Sequence, residues 1–306
     1  MKTYLALIKI DMKLALRMRS VIFFNYLFPL MFFFIFALLF RARTNPGAMI
    51  QVLSMVIPLG VVGNGLFGAG MRSIQEREMG ILRRYKVTPI TPGPLLVASM
   101  VTALFVFMPY ILVVLSIAHF YYHMAWPANW LSILIFISLG LVAFRSLGMV
   151  IASTANNMQE GQILIQLCYF PMIFLSGATI PIDLESFPQI LRTISNFIPS
   201  TYLVRGIREM MFTGKSILDE WELVLILMVA AAVGLTVGFK LFRWEKEEKI
   251  RPSAKLWVAA VILPFLIWGV VKYVKGEPAP RHSQRNQNSG PTQAKQFFSA
   301  RHESGS

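Results

Sequence analysis

Long apolar runs alternate with short polar stretches along this chain, and the polar stretches carry most of its cations. A membrane-crossing helix needs about 20 mostly apolar residues, since the hydrocarbon core is about 30 Å thick and each helical residue rises about 1.5 Å. Six runs reach that length: residues 21–40, 48–71, 95–118, 131–153, 162–180 and 221–239. A seventh run, 256–271, is uncharged over only 16 residues, so it either spans or lies at the interface. The pattern predicts an all-α integral membrane protein with six spanning helices and a seventh, C-terminal helix.

Composition supports the membrane reading over a pair of soluble domains. Of 306 residues, 56% are hydrophobic and 14% charged, where a soluble domain carries about 25% charged. The net charge of +14 comes from 29 Lys and Arg against 15 Asp and Glu. These cations sit in blocks between the apolar runs, which points to membrane topology and anionic lipid and away from nucleic acid. Five cations lie in residues 1–20, five in 72–94, none in 154–161 and six in 240–255, while the alternate set holds two in 41–47, none in 119–130 and four in 181–220. Sixteen against six predicts a cytoplasmic N-terminus, because short cation-rich loops are retained inside. One cysteine, Cys168, excludes an intrachain disulfide framework. No Ala-x-Ala site follows the first apolar run, so this segment is expected to be mature sequence and not a removed signal peptide.

Within this frame, residues 1–20 read as an interfacial helix. Lys2, Lys9, Lys13 and Arg17 form one stripe at 3.6 residues per turn, with Leu5, Ile8, Met12 and Leu16 on an adjoining face. The membrane-spanning body is 21–242, followed by a basic linker with the seventh run over 243–275 and a polar tail, 276–306, expected to be disordered. Gly60, Gly63, Gly65, Gly68 and Gly70 crowd the second run, and Gly65 with Ala69 has the small-xxx-small spacing of a close helix interface. Pro58, Pro109 and Pro171 are expected to kink their helices.

Candidate chemistry is sparse. His119 and His123, four residues apart, could offer two imidazoles to a metal with Asp183 or Glu185, but Tyr121, Tyr122, Trp126 and Trp130 around them fit an interfacial aromatic belt better, so no metal is expected. Residues 209–216 end in Gly-Lys-Ser like a phosphate-binding loop, yet Glu209 stands where the first glycine belongs, and no nucleotide site is expected on the chain. Arg145 lies deep in the fourth run, where a lone charge costs about 2.5 to 3.5 kcal/mol on insertion scales. With Asn64, Gln162 and Gln166 it either lines a solute path or serves packing and interhelical hydrogen bonds.

The segment 72–94 carries the most information. On a helical wheel Ile74, Met79, Ile81, Leu82 and Tyr85 share one side, and Arg72, Glu76, Arg77, Arg83 and Arg84 the other, which predicts a short amphipathic helix ended by Pro89. Glu78 falls on the apolar side between Ile74 and Leu82, so any partner must be tertiary.

Six spans, the amphipathic N-terminal helix, Glu76-Arg77-Glu78-Met79-Gly80 after the second span and the outer segment from Pro181 to Gly214 resemble the permease subunits of type-2 ABC exporters. Arg83-Arg84 and Val87-Thr88-Pro89-Ile90 are similar to the drug-resistance branch of that family, and the resemblance covers roughly residues 1–245. It implies a six-helix ABC-2 permease bundle whose cytoplasmic coupling helix docks on a separate ATPase subunit through Glu76, Arg77, Glu78, Gly80, Arg83 and Arg84, with Glu78 as the pivot. It further implies re-entrant outer helices in 181–220, broken at Pro188, Pro199 and Gly214. The implied assembly has two permeases, as copies or paralogues, and two ATPases, with ATP and Mg on the ATPase and no cofactor on this chain. The cargo would be a hydrophobic or amphiphilic molecule, and the location the inner (plasma) membrane. Two other classes remain open. An ion-coupled transporter or channel would centre on Arg145, and an integral-membrane transferase would need acidic or His residues clustered at one membrane face.

Overall fold

The computed structural model describes residues 2–17, 23–44, 46–86, 91–179, 189–245 and 263–271. Among these the regular elements are all helical. In chain order they are α1 (Lys2–Arg17), a π-helical turn (Phe23–Leu27) leading into α2 (Phe28–Leu39), α3 (Pro46–Gly63) continuing as a π-helical segment (Asn64–Met71), α4 (Arg72–Glu78), α5 (Ile81–Lys86), α6 (Pro92–Phe120), α7 (Trp130–Thr154), α8 (Met158–Leu175), α9 (Gln189–Ser195), α10 (Pro199–Thr213) and α11 (Trp221–Lys240). A last helical stretch covers 263–271.

Among the described residues four helices are long and apolar enough to cross a membrane: Gly47–Glu78, Pro92–Phe120, Trp130–Thr154 and Trp221–Lys240. The first expected span appears as the shorter apolar helix Asn25–Leu39. The fifth appears as α8, which starts at Met158 and includes Gln159, Glu160 and Gln162 in its first turns. It starts earlier than its apolar run because Asn157 and Glu160 form a reciprocal cap. The Asn157 side chain accepts from the Glu160 N–H at 2.8 Å, and the Glu160 carboxylate accepts from the Asn156 N–H at 2.9 Å.

The core is aromatic and aliphatic, with Phe33, Phe107, Tyr110, Phe136 and Tyr202 fully buried around the nearly continuous buried stretch Val52–Val62 of α3. Pro58, Pro109 and Pro171 lie inside uninterrupted helices. The glycine-rich second span is a helix-to-helix interface, as its small residues predict. The π-helical segment packs along α7, and a Cβ on Gly65 would stand only 2.7 Å from the Phe144 carbonyl carbon. Only a residue without a side chain allows that approach.

Within the segment expected outside, residues 199–213 pack into the bundle. Pro199 opens α10 as its first residue, and Gly214 closes it in a left-handed conformation at φ 67°, the asymmetry expected of helix starts and stops. Helix α10 buries Tyr202, Leu203, Ile207 and Met210, packing on α3, α7, α8 and α11. Pro188, Asp183 and Glu185 fall outside the described residues. Of the seventh run only 263–271 is described; there Phe265 is buried and its ring stacks on Tyr202 at 6.2 Å. The polar tail 276–306 also lies outside the described residues.

Candidate functional site

The second span does not stop at the expected loop: α3, the π-helical segment and α4 form one helix from Gly47 to Glu78. Gly80, at φ 67°, then takes the left-handed conformation that favours glycine, and the chain turns into α5. This break corrects the wheel drawn for one continuous helix. Ile74 and Leu82 are buried as expected, but Met79, which precedes Gly80 and stands about 140° around the helix from Ile74, is 61% exposed. Arg83 and Arg84 are exposed as well.

One side of this hairpin holds α1. The Arg72 guanidinium bonds Glu76 at 2.7 Å, one helical turn on, and also bonds the Asp11 carboxylate of α1. On α1, Asp11 lies between Leu7 and Ala15, which are buried against the protein, while Leu5, Ile10, Leu14 and Leu16 stay exposed. The face turned to protein is therefore Leu7–Asp11–Ala15, and the exposed apolar residues remain available to the acyl boundary, as an interfacial helix requires. A cavity of about 120 Å³ lies between α1, the hairpin and α6, bordered by Asp11, Arg72, Glu76, Ser99, Met149 and Phe242.

The other side holds the turn between α7 and α8. The Arg77 side chain is 3% exposed and donates to the carbonyl oxygens of Ala152 at 3.2 Å and Ala155 at 2.5 Å. Glu78 accepts from the Met158 N–H at 3.0 Å, the first residue of α8. Glu78 thus has the tertiary partner its position demanded, and that partner is a backbone amide of the same chain. Ile74 fills the space between Ala152 and Ala155 and reaches Gly161, where a Cβ would overlap it.

Deeper along the same helix, Arg145 is 4% exposed and donates to the Asn64 side-chain oxygen at 2.8 Å and to the Ser99 hydroxyl at 2.7 Å. Asn64 in turn donates to the Asn25 side chain. The node therefore joins the π-helical turn before α2, the π-helical segment, α6 and α7. A buried guanidinium shared among side-chain oxygens is far less costly than a lone one.

The family model for the ABC-2 type transporter matches residues 2–212. The chain belongs to that family. Its relatives include the inner membrane transport permease YhhJ of Escherichia coli K12, 26% identical over 215 residues that cover 66% of this chain and 54% of YhhJ. The probable multidrug ABC transporter permease YbhS of the same strain is 25% identical over 210 residues, covering 67% of this chain and 53% of YbhS. The linearmycin resistance permease protein LnrN of Bacillus subtilis 168 is 25% identical over 124 residues, 40% of this chain and 32% of LnrN. The chain spans about half the length of the first two relatives.

In this ABC-2 chain the hairpin gathers Glu76, Arg77, Glu78 and Gly80 with Arg83 and Arg84, but on different faces. Of the four polar groups considered for a path, Asn64 and Arg145 meet, whereas Gln162 is exposed on α8 and Gln166 half-buried there. Asp11, Asn25 and Ser99 were not singled out from the sequence. Asp11 had a signal, as the single acidic residue in 1–20, but Asn25 and Ser99 had none beyond being polar inside apolar runs. His119 bonds the Met124 carbonyl oxygen at 2.9 Å and packs edge-on to Trp126, the belt-like setting its neighbours suggested. Gly214-Lys215-Ser216 follows the end of α10, whereas a phosphate loop opens a helix, and Lys215 is paired with Glu220 at 2.7 Å and Glu209 at 3.6 Å.

Proposed function

We propose that the chain is the membrane-spanning subunit of an ATP-driven exporter, present as two permease copies or a pair of paralogues that carry a hydrophobic or amphiphilic cargo between them. Hydrolysis takes place on two separate ABC ATPase subunits, which hold ATP and Mg. The observation that carries this reading is the hairpin after the second span: braced on both flanks, it leaves Met79, Arg83 and Arg84 exposed at its tip. An apolar side chain beside two guanidiniums suits a partner pocket with an acidic rim. The names of the relatives, multidrug and linearmycin resistance permeases among them, agree with an amphiphilic cargo. The cation count supports a cytoplasmic hairpin and N-terminus at the inner membrane.

Co-expression with the cognate ABC ATPase tests both parts. The tagged wild-type chain should retain the ATPase, and reversing both charges in Arg83→Glu/Arg84→Glu should weaken retention about tenfold or more, since like charges at an interface cost several kcal/mol. In a Cys168→Ser background, a cysteine at exposed Ala125 should label from outside intact cells and one at exposed Asn156 should not. Undiminished retention rejects the docking face, and outside labelling at Asn156 rejects the orientation.

A further inference from the structure

Arg77 and Glu78 are adjacent, oppositely charged, and bound to opposite helix poles. A helix C-terminus presents unpaired carbonyls and partial negative charge, and an N-terminus presents unpaired N–H groups and partial positive charge. Arg77 takes the carbonyls of Ala152 and Ala155 at the end of α7, and Glu78 takes the Met158 N–H at the start of α8. Ile74, three and four residues earlier on the same helical face, is fully buried against Ala152 and Ala155. The Ala155 carbonyl also accepts from Arg243, just beyond α11, at 3.2 Å. The turn between α7 and α8 is thus gripped by charge and by packing, and through Ala155 it is joined to the end of α11.

We infer that Arg77 and Glu78 are positioning residues for transmission: they fix the coupling hairpin to the α7–α8 turn, so that movement imposed on the hairpin passes to α7, α8 and α11 as one unit. The inference rests on the proposed docking of an ATPase on the hairpin and assigns these two side chains a role different from that contact. Residues Met79, Arg83 and Arg84 meet the partner, and Arg77 and Glu78 carry its displacement inward. The hydrogen-bond chemistry separates the two roles. A carboxylate that pairs with a cation of the ATPase depends on its charge, whereas one that accepts a backbone N–H at a helix N-terminus depends mainly on an acceptor oxygen, which glutamine supplies, and draws a smaller share from its charge.

The test uses the full chain with its cognate ATPase in lipid nanodiscs, reading deuterium uptake of peptides from 72–86 and from 150–165 with and without vanadate trapping. In the wild type, trapping should change uptake in both regions. Arg77→Gln and Glu78→Ala should keep the ATPase bound and keep the response at 72–86, while the response at 150–165 falls about fivefold or more, the scale of a lost hydrogen bond to a charged group. Glu78→Gln should keep most of the wild-type response. An undiminished response at 150–165 in both loss variants overturns the inference, as does loss of the ATPase from them, or a Glu78→Gln that fails as badly as Glu78→Ala. Should Arg77→Gln not accumulate, the two Glu78 variants decide the matter alone. A wild-type complex whose 72–86 segment ignores trapping refutes instead the docking role of the hairpin.

Discussion

Gly148 sits where α7 and the π-helical segment touch backbone to backbone, and Gly148→Ala tests how much depends on that contact. A Cβ at this position would overlap the Gly65 carbonyl oxygen and stand 3.0 Å from the Leu66 Cα and 3.2 Å from the Gly65 carbonyl carbon. Main-chain atoms cannot rotate away, so the helices must separate by about 1 Å to reach ordinary carbon contacts of about 3.5 to 4.0 Å. Arg145 lies one turn before Gly148, and Asn64 directly precedes Gly65, so the same separation stretches their 2.8 Å hydrogen bond to about 3.8 Å, beyond bonding range. Overpacking costs about 1 to 3 kcal/mol, and loss of a hydrogen bond to a charged group about 1.5 to 3, while Ala in place of a helical Gly returns about 0.5 to 1. The net expectation is a destabilisation of about 2 to 5 kcal/mol. Gly63→Ala is the control, because its Cβ would meet only the Tyr169 hydroxyl oxygen at 3.7 Å and a ring carbon at 3.8 Å, so it should be neutral or slightly stabilising. Steric trapping of the purified chain in bicelles measures both. In an Asn64→Ala background, Gly148→Ala should cost less than in the wild type, since the hydrogen bond it breaks is already gone. Equal stability of Gly148→Ala and Gly63→Ala would refute the close-contact argument, and full additivity with Asn64→Ala would refute the link to Arg145.

Arg145→Lys should lower stability by about 1 to 3 kcal/mol in the same assay, because one ammonium cannot reproduce the fork that reaches both Asn64 and Ser99; wild-type stability would show that charge alone suffices there. The turn 214–220 should respond to pH at both extremes. The Ser216 N–H holds the Asp219 carboxyl below its ordinary 3.8, so its contribution is complete above that value and is lost as pH falls through the lowered one. The hydrogen bond to Glu220, reinforced by the charges of Glu220 and Glu209 against partial desolvation, holds the Lys215 ammonium above its ordinary 10.5, so its contribution is complete below 10.5 and is lost as pH rises through the raised value. Amide exchange of peptides covering the turn, corrected for the intrinsic pH dependence, should accelerate on both sides. An unaltered acid response in Asp219→Asn would discard the carboxylate as its source.

Apolar run length determined a good deal by itself. Each of the six apolar runs coincides with a helix, although α10 joins the bundle without such a run, because a segment in hydrocarbon must satisfy its own backbone and only a helix does so locally. The glycines of the second span, Pro199 at a helix start and Gly214 at a helix end were legible for the same reason: their backbone preferences act within one or two turns. Tertiary structure alone decided which side chains meet. The helical wheel set Glu78 on the apolar side and Glu76 opposite, but nothing local named the amide 80 positions away that Glu78 binds, whereas Glu76 binds Arg72 one turn away. Arg77 read as solvated in the sequence and is buried, because the carbonyls that accept from it belong to the end of another helix. Likewise Met79 stands exposed at the end of its helix just before Gly80, and Arg145 found Asn64 and Ser99 only through the close approach that Gly65 and Gly148 permit. Periodicity fixes faces within one helix, but partners across helices depend on packing geometry, which the order of residues along the chain does not encode locally.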